Sequence, residues 1–248
     1  MRKVFITLAV IVLVIASIPI ALIGTGTIDT TSVRMILNVM TGMPGPEADA
    51  GTVQQRYRVP PGFTVSLYAK DLPRARFLHV TDQGDVLVTR SHAGDLVLLK
   101  RDADGDGLPD GRTTLLADLN RPLGIDIADG WLYIAESHQI GRVPFDEATG
   151  TLAGDYEVVL DGLTDNGNHW SKTIGVGPDG KLYLAQGSTC NVCEEEDERR
   201  ATMMRMNLDG SDASIIATGL RNSVGFDWAP WDGGLYATDN GRDLLGDD

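Results

Sequence analysis

His169 stands in the segment NGNHWSK and is one of only four histidines in the chain. An imidazole titrates near neutral pH, so a loop histidine can take a proton from an alcohol when a partner orients its ring. Without such a partner it is an ordinary surface histidine. Further along, Arg221 and Asn222 follow a leucine at a strand-like boundary. A guanidinium fork grips carboxylates through paired hydrogen bonds, and an amide both donates and accepts, so the pair suits a planar polyanion. The structural alternative is that it ties together loops between neighbouring sheets. The turn Asn240, Gly241, Arg242, Asp243 follows LYATD. Its polar groups should emerge at the same strand end as Arg221 and Asn222, which is the convergence a ligand site needs.

Two further clusters offer chemistry of other kinds. Asp102, Asp104, Asp106 and Asp110 in DADGDGLPDG alternate as in a calcium loop, with Gly107 at the sharp turn, but the position of the closing bidentate Glu is Thr113. The segment reads as a solvated acidic turn, with a structural calcium as the alternative. Cys190 and Cys193 are the only cysteines. Zinc would want four ligands and a thioredoxin-like role would want a βαβ setting, so in an exported domain a local disulfide fits better.

Positioning these residues requires a repeated scaffold. The strings GDVLVTR, GWLYIAE, GKLYLAQ and GGLYATD begin at Gly84, Gly130, Gly180 and Gly233, a spacing of roughly 50 residues that marks β-propeller blades. Each is preceded by a second matched element, in DLPRARFLHV, DLNRPLGIDI, GLTDNGNHWSKTIGV and GLRNSVGFDW. The expected fold is therefore all-β, over residues 60–248, with about four blades of a longer ring and truncation at the C-terminal end. Twenty-nine Gly and eleven Pro agree with so many turns.

Composition removes other classes. A chain with 42% hydrophobic and 23% charged residues folds, so wholesale disorder is excluded. A net charge of −14 without Lys/Arg clusters excludes nucleic acid as a partner. At the N-terminus, Arg2 and Lys3 precede an uncharged apolar run from Val4 to Gly24. That run is long enough to span a bilayer, and the preceding positive residues would hold its start in the cytoplasm. Residues 1–24 are expected to be a signal-anchor helix, with a cleaved signal and secretion as the alternative, and 25–59 a linker.

The strings GNHWSKTIGVGPDGKLYLAQGSTCNVCEEEDERRA and GLRNSVGFDWAPWDGGLYATDNGRDLLGDD, with LNRPLGI and ADGWLYIAES, resemble the sorbosone dehydrogenase branch of the pyrroloquinoline quinone (PQQ)-dependent sugar dehydrogenases. The resemblance implies a six-bladed propeller holding the quinone beside a calcium ion, and hydride transfer from a sugar-derived hydroxyl or aldehyde to that quinone. Electrons would pass on to a membrane or soluble acceptor. It implies His169 as general base, Arg221, Asn222 and Asn240 as quinone contacts, and the carbonyls of Gly241 and Arg242 as calcium ligands. Asn168 stands where the soluble glucose enzymes carry an acid, so glucose specificity is not implied. The Lys and Arg residues that clamp the quinone carboxylates in the family would fall after Asp248. A calcium-dependent lactonase on the same ring and a non-catalytic binding propeller are the alternatives. If the anchor is retained, mass spectrometry of the mature protein finds the N-terminus intact; a chain starting between Ile23 and Asp29 identifies a cleaved signal.

Overall fold

A computed structural model describes Thr25 and residues 49–243. The chain divides into two units between Val65 and Ser66. In the first, the described residues form one short helix, α1 (Ala50–Arg56), inside the expected linker. Asp49 starts it by accepting the Thr52 amide at 2.7 Å, an N-cap that satisfies a donor the helix leaves open. The expected anchor over 1–24 lies outside the described residues. Among those described, no helix is long and apolar enough to cross a membrane.

The second unit is a succession of antiparallel meanders. The first comprises β1 (Ala75–Val80), β2 (Val86–Arg90), β3 (Asp95–Lys100) and β4 (Gly111–Leu116). The next has β5 (Ile125–Ala128), β6 (Trp131–Ala135) and β7 (Ile140–Asp146), with β8 (Thr151–Leu152) and β9 (Glu157–Leu160) both pairing with β7. The third comprises β10 (Lys172–Val176), β11 (Leu182–Gln186), β12 (Thr202–Met206) and β13 (Ser214–Thr218). Finally β14 (Gly225–Trp228) pairs with β15 (Leu235–Thr238). The four repeated strings are β2, β6, β11 and β15, the second strand of each sheet, and the matched elements before them supply the first strands.

Burial explains the pattern that made the repeat legible. Strand β11 is buried at every position and β3 at nearly every one, whereas β13 alternates between exposed and half-buried. A strand buried on one face alternates; one buried on both reads as a continuous apolar run. Both faces are covered because the sheets stack. Leu87, Leu96 and Leu98 meet Leu132, Ile134, Val143 and Phe145. From the other face of that second sheet, Tyr133, Ala135 and Ile140 meet Leu182, Leu184, Met204 and Met206. Tyr183, Ala185 and Met203 then face Phe226, Trp228 and Leu235, with Trp228 edge-on to Tyr183 at 5.0 Å.

The first strands lie side by side along the inner edge. Gly124 donates to the Lys172 carbonyl at 3.1 Å. A Cβ there would come within 2.6 Å of the Ile174 nitrogen, so only glycine admits this approach. Face-to-face stacking with adjacent first strands is the architecture of β-propeller blades. Among the described residues there are three complete sheets and the first two strands of a fourth.

Lys172, opening β10, is 0% exposed. Burial, aided by the Arg200 charge, pushes its pKa down from 10.5 to about 7. Between those values the unfolded chain keeps a proton that the folded chain has released, so stability contributed by this group rises with pH across that window. Thermal melts should therefore show wild type gaining on Lys172→Met as pH climbs from 7 towards 10.5. A pH-independent difference would contradict the burial effect.

Candidate active site

Topology decides which residues can meet. In a four-stranded meander, the turn between strands two and three and the link to the next sheet emerge at one end, while turns one–two and three–four emerge at the other. His169 lies on the link between β9 and β10, Arg221 and Asn222 on the link between β13 and β14, and Cys190–Cys193 between β11 and β12. Asn240, Gly241 and Arg242 follow β15, again a second strand. All sit at one end. The Asp102–Asp110 hairpin joins β3 to β4 and belongs to the opposite end.

The loops then lock together. The Nδ1 of His169 is 2.8 Å from the Ser188 carbonyl and 3.0 Å from its hydroxyl. A carbonyl only accepts, so in the neutral ring Nδ1 carries the hydrogen and Nε2 carries the lone pair. Ser188 is itself fixed, since its hydroxyl donates to the Cys190 carbonyl at 2.6 Å and its amide to the Arg221 carbonyl at 2.7 Å. Between them, Gly187 lets the predicted residues converge. A Cβ there would stand 2.5 Å from Asn222 Oδ1, 2.6 Å from His169 Cβ and 3.0 Å from the Arg221 carbonyl.

The Arg221 side chain, 13% exposed, works inside this bracket. Its Nε donates to Asn191 Oδ1 at 3.1 Å, Nη1 to the Asn240 carbonyl at 3.1 Å and Nη2 to Asp243 Oδ2 at 2.7 Å. Asp239 accepts both the Arg221 amide at 3.1 Å and the Asn222 amide at 2.8 Å. The structure thus uses most of the guanidinium to hold the Asn240–Asp243 turn, which is the loop-tying alternative. One hydrogen on each terminal nitrogen stays outside the bracket. Asn222 is half-buried beside His169, while Asn240, Gly241 and Arg242 are exposed.

Cys190 and Cys193 form the expected disulfide, in the loop that carries Ser188 and Asn191. In the opposite hairpin, Asp102, Asp104 and Asp110 converge, but Asp106 does not join them and accepts the Leu108 amide at 2.8 Å instead. Asp102 is held below the usual carboxylate range chiefly by the Gly107 amide, helped by those of Gly105 and Asp106. The turn closes on its own amides, as a solvated acidic turn does.

Gly187, Ser188 and Asn191 were not singled out in the sequence. Gly187 and Ser188 directly follow the repeated GKLYLAQ strand, so their place at a strand end was the available signal.

A family model described as TrAA12-like matches residues 57–247. The chain belongs to that family. Among curated proteins, a "Pyrroloquinoline quinone-dependent sugar dehydrogenase" of Hypocrea jecorina (strain QM6a) is 25% identical over 205 residues, covering 74% of this chain and 47% of that protein. An uncharacterized protein of Borreliella burgdorferi is 33% identical over 144 residues, 54% of this chain and 38% of its own length. This TrAA12-like chain therefore spans less than half the length of these relatives. Among solved structures, the holo form of the pyranose dehydrogenase PQQ domain from Coprinopsis cinerea matches with a TM-score of 0.67 at 22% identity, over 77% of this chain and 50% of that one. The calcium structure of Trichoderma reesei Carbohydrate-Active Enzymes Family AA12 matches with a TM-score of 0.61 at 24% identity, over 72% and 48%. At these identities the TrAA12-like chain shares their fold.

The close approach at Gly187 predicts that Gly187→Ala forces His169 and Asn222 apart. Overpacking of this kind costs about 1–3 kcal/mol, to be read from the urea midpoint at unchanged slope. An unaltered midpoint would mean the three loops do not meet at Gly187.

Proposed function

We propose that this chain is the catalytic part of a quinoprotein oxidoreductase, which oxidises a sugar-derived hydroxyl or aldehyde by hydride transfer to PQQ. The observation that carries the reading is the oriented imidazole of His169, with Nδ1–H tied to Ser188 and Nε2 left to accept, beside Asn222 and the Arg221 bracket. Membership of the TrAA12-like family and the name of the Hypocrea relative support it.

The donor set fits part of the cofactor, the Lys and Arg that clamp the quinone carboxylates in the family having no counterpart among these residues. A planar tricarboxylate with two quinone oxygens asks for cationic and amide donors, and calcium asks for oxygen ligands. Arg221 has hydrogens outside its bracket, the Asn222 and Asn240 side chains are amides, and the Gly241 and Arg242 carbonyls lie on the exposed turn. When bound, PQQ supplies the hydride acceptor and calcium polarises its reacting carbonyl.

His169 Nε2 takes the hydroxyl proton as hydride leaves the carbon that bears that hydroxyl, in a sugar alcohol group or a hydrated aldehyde, so the substrate loses two electrons and two hydrogens in balance. The imidazolium that forms keeps Nδ1–H on the Ser188 carbonyl, which stabilises its charge without turning the ring. Arg221 orients the Asn240–Arg242 turn, and Asn222 closes the wall beside the base. A sorbosone-type aldehyde is the first substrate to test. The disulfide supports an oxidising, extracytoplasmic compartment, in keeping with the expected membrane anchor.

The test uses the full chain with added PQQ, calcium, a panel of sugars and a soluble electron acceptor. His169→Ala should cut turnover by about 10²–10⁴-fold, as loss of a general base does, while quinone affinity stays near wild type. Arg221→Ala should chiefly weaken quinone binding, because it releases the turn. Wild-type turnover in His169→Ala on every sugar oxidised would sink the assignment.

A further inference from the structure

The segment that carries His169 is held from beneath by two cations that the mechanism above does not use. Lys172 is 0% exposed and Arg200 only 2%. Lys172 Nζ donates to the carbonyls of Thr164 at 3.0 Å and Trp170 at 2.9 Å. Arg200 donates through Nη1 to the same Thr164 carbonyl at 2.7 Å, and through Nη2 to the carbonyls of His169 at 3.1 Å and Asn166 at 3.4 Å. Both ends and the middle of the loop thus end on buried ammonium or guanidinium hydrogens. From outside, Arg121 pairs with Asp165 at 2.7 Å and covers the Trp170 ring at 4.7 Å.

This is an expensive way to build a loop. Burying a cation costs several kcal/mol unless an anion answers it. Glu195, whose charge acts on Arg200 most, makes no ion pair with it and accepts the Thr189 amide at 2.7 Å, while Asp165 is engaged with Arg121 and Asp197 with Arg199 at 2.8 Å. In addition, the Arg200 Nε is buried without a hydrogen-bond partner among the described residues. What the cations provide is a fixed path for a backbone that has no strand or helix to follow, since carbonyls aimed at a rigid fork and an ammonium cannot rotate away.

We infer that Lys172 and Arg200 are positioning residues for His169: they fix the carbonyls of Thr164–Trp170 so that the imidazole meets Ser188 through Nδ1 and presents Nε2 outward. Their value to catalysis rests on the proposed quinoprotein reading, whereas the geometry they impose does not. Lys172 can serve in either protonation state, because the neutral amine still has a hydrogen for each of its two carbonyls.

The experiment reads the ring directly. In the full chain without quinone, nitrogen NMR of labelled histidine, with His169 assigned by its loss in His169→Asn, should show a single Nδ1–H tautomer. Lys172→Met keeps length but removes the donors, and Arg200→Lys keeps charge but removes the fork. Each should fold cooperatively and give an averaged tautomer at His169. With PQQ, calcium and a sugar that wild type oxidises, each should lose about 10²-fold in kcat, the scale set by misplacing a reacting group by ~1 Å, with quinone affinity near wild type. An unchanged His169 spectrum in both folded variants overturns the inference. So does loss of cooperative unfolding in both, which would make the cations determinants of the fold and not of the loop. If the tautomer responds as expected but wild type oxidises no sugar, the quinoprotein reading falls and the positioning role stands.

Discussion

Everything at the candidate site depends on sheets that are covered on both faces. Once Leu132 and Ile134 pack one way and Tyr133 and Ala135 the other, β6 has no face left for a charged side chain. The polar groups of the site lie beyond the strand ends, and antiparallel order sorts those ends into two sets. The site is one of these sets. Its members come from distant parts of the chain, yet no long-range rule beyond strand alternation is needed to gather them.

Within that set, rigidity is built from backbone groups more than from side-chain pairs. Ser188 holds His169 by its carbonyl and Arg221 by its amide, Asp239 collects two successive amides, and Arg221 returns to the Asn240 carbonyl. Such contacts are insensitive to which side chain stands at most of these positions. A few exceptions depend on the side chain: a glycine where three loops touch, a histidine whose ring meets Ser188 through Nδ1, and an arginine whose fork reaches in three directions.

Those facts also explain what could be read before the structure. The second strands β2, β6 and β11 were visible because double-sided burial writes continuous apolar runs, and GKLYLAQ became β11 as its pattern implied. The convergence of Arg221 with the Asn240 turn followed from strand order alone. Other features left no such trace. Lys172 opens a strand and sits in an ordinary polar string, so nothing distinguishes it from a surface lysine until the loop folds over it. Gly187 resembles any glycine after a strand; its meaning lies in residues far from it in sequence. Arg221 was legible as a polar anchor but not in its allegiance, because a fork that suits a carboxylate ligand suits Asp243 equally well. Asp49 was a missed helix start, short enough to vanish in a polar segment.

The separation of the two strand-end sets has a practical corollary in the hairpin between β3 and β4. Its tip, from Asp104 to Gly107, is exposed and secured by hydrogen bonds within its own few residues, at the end opposite His169. Exposed tips of this kind tolerate inserted sequence. A fluorescent module or affinity handle grafted there would report on the molecule from the side away from the candidate site, and the same strand order offers the β12–β13 hairpin as a further attachment point.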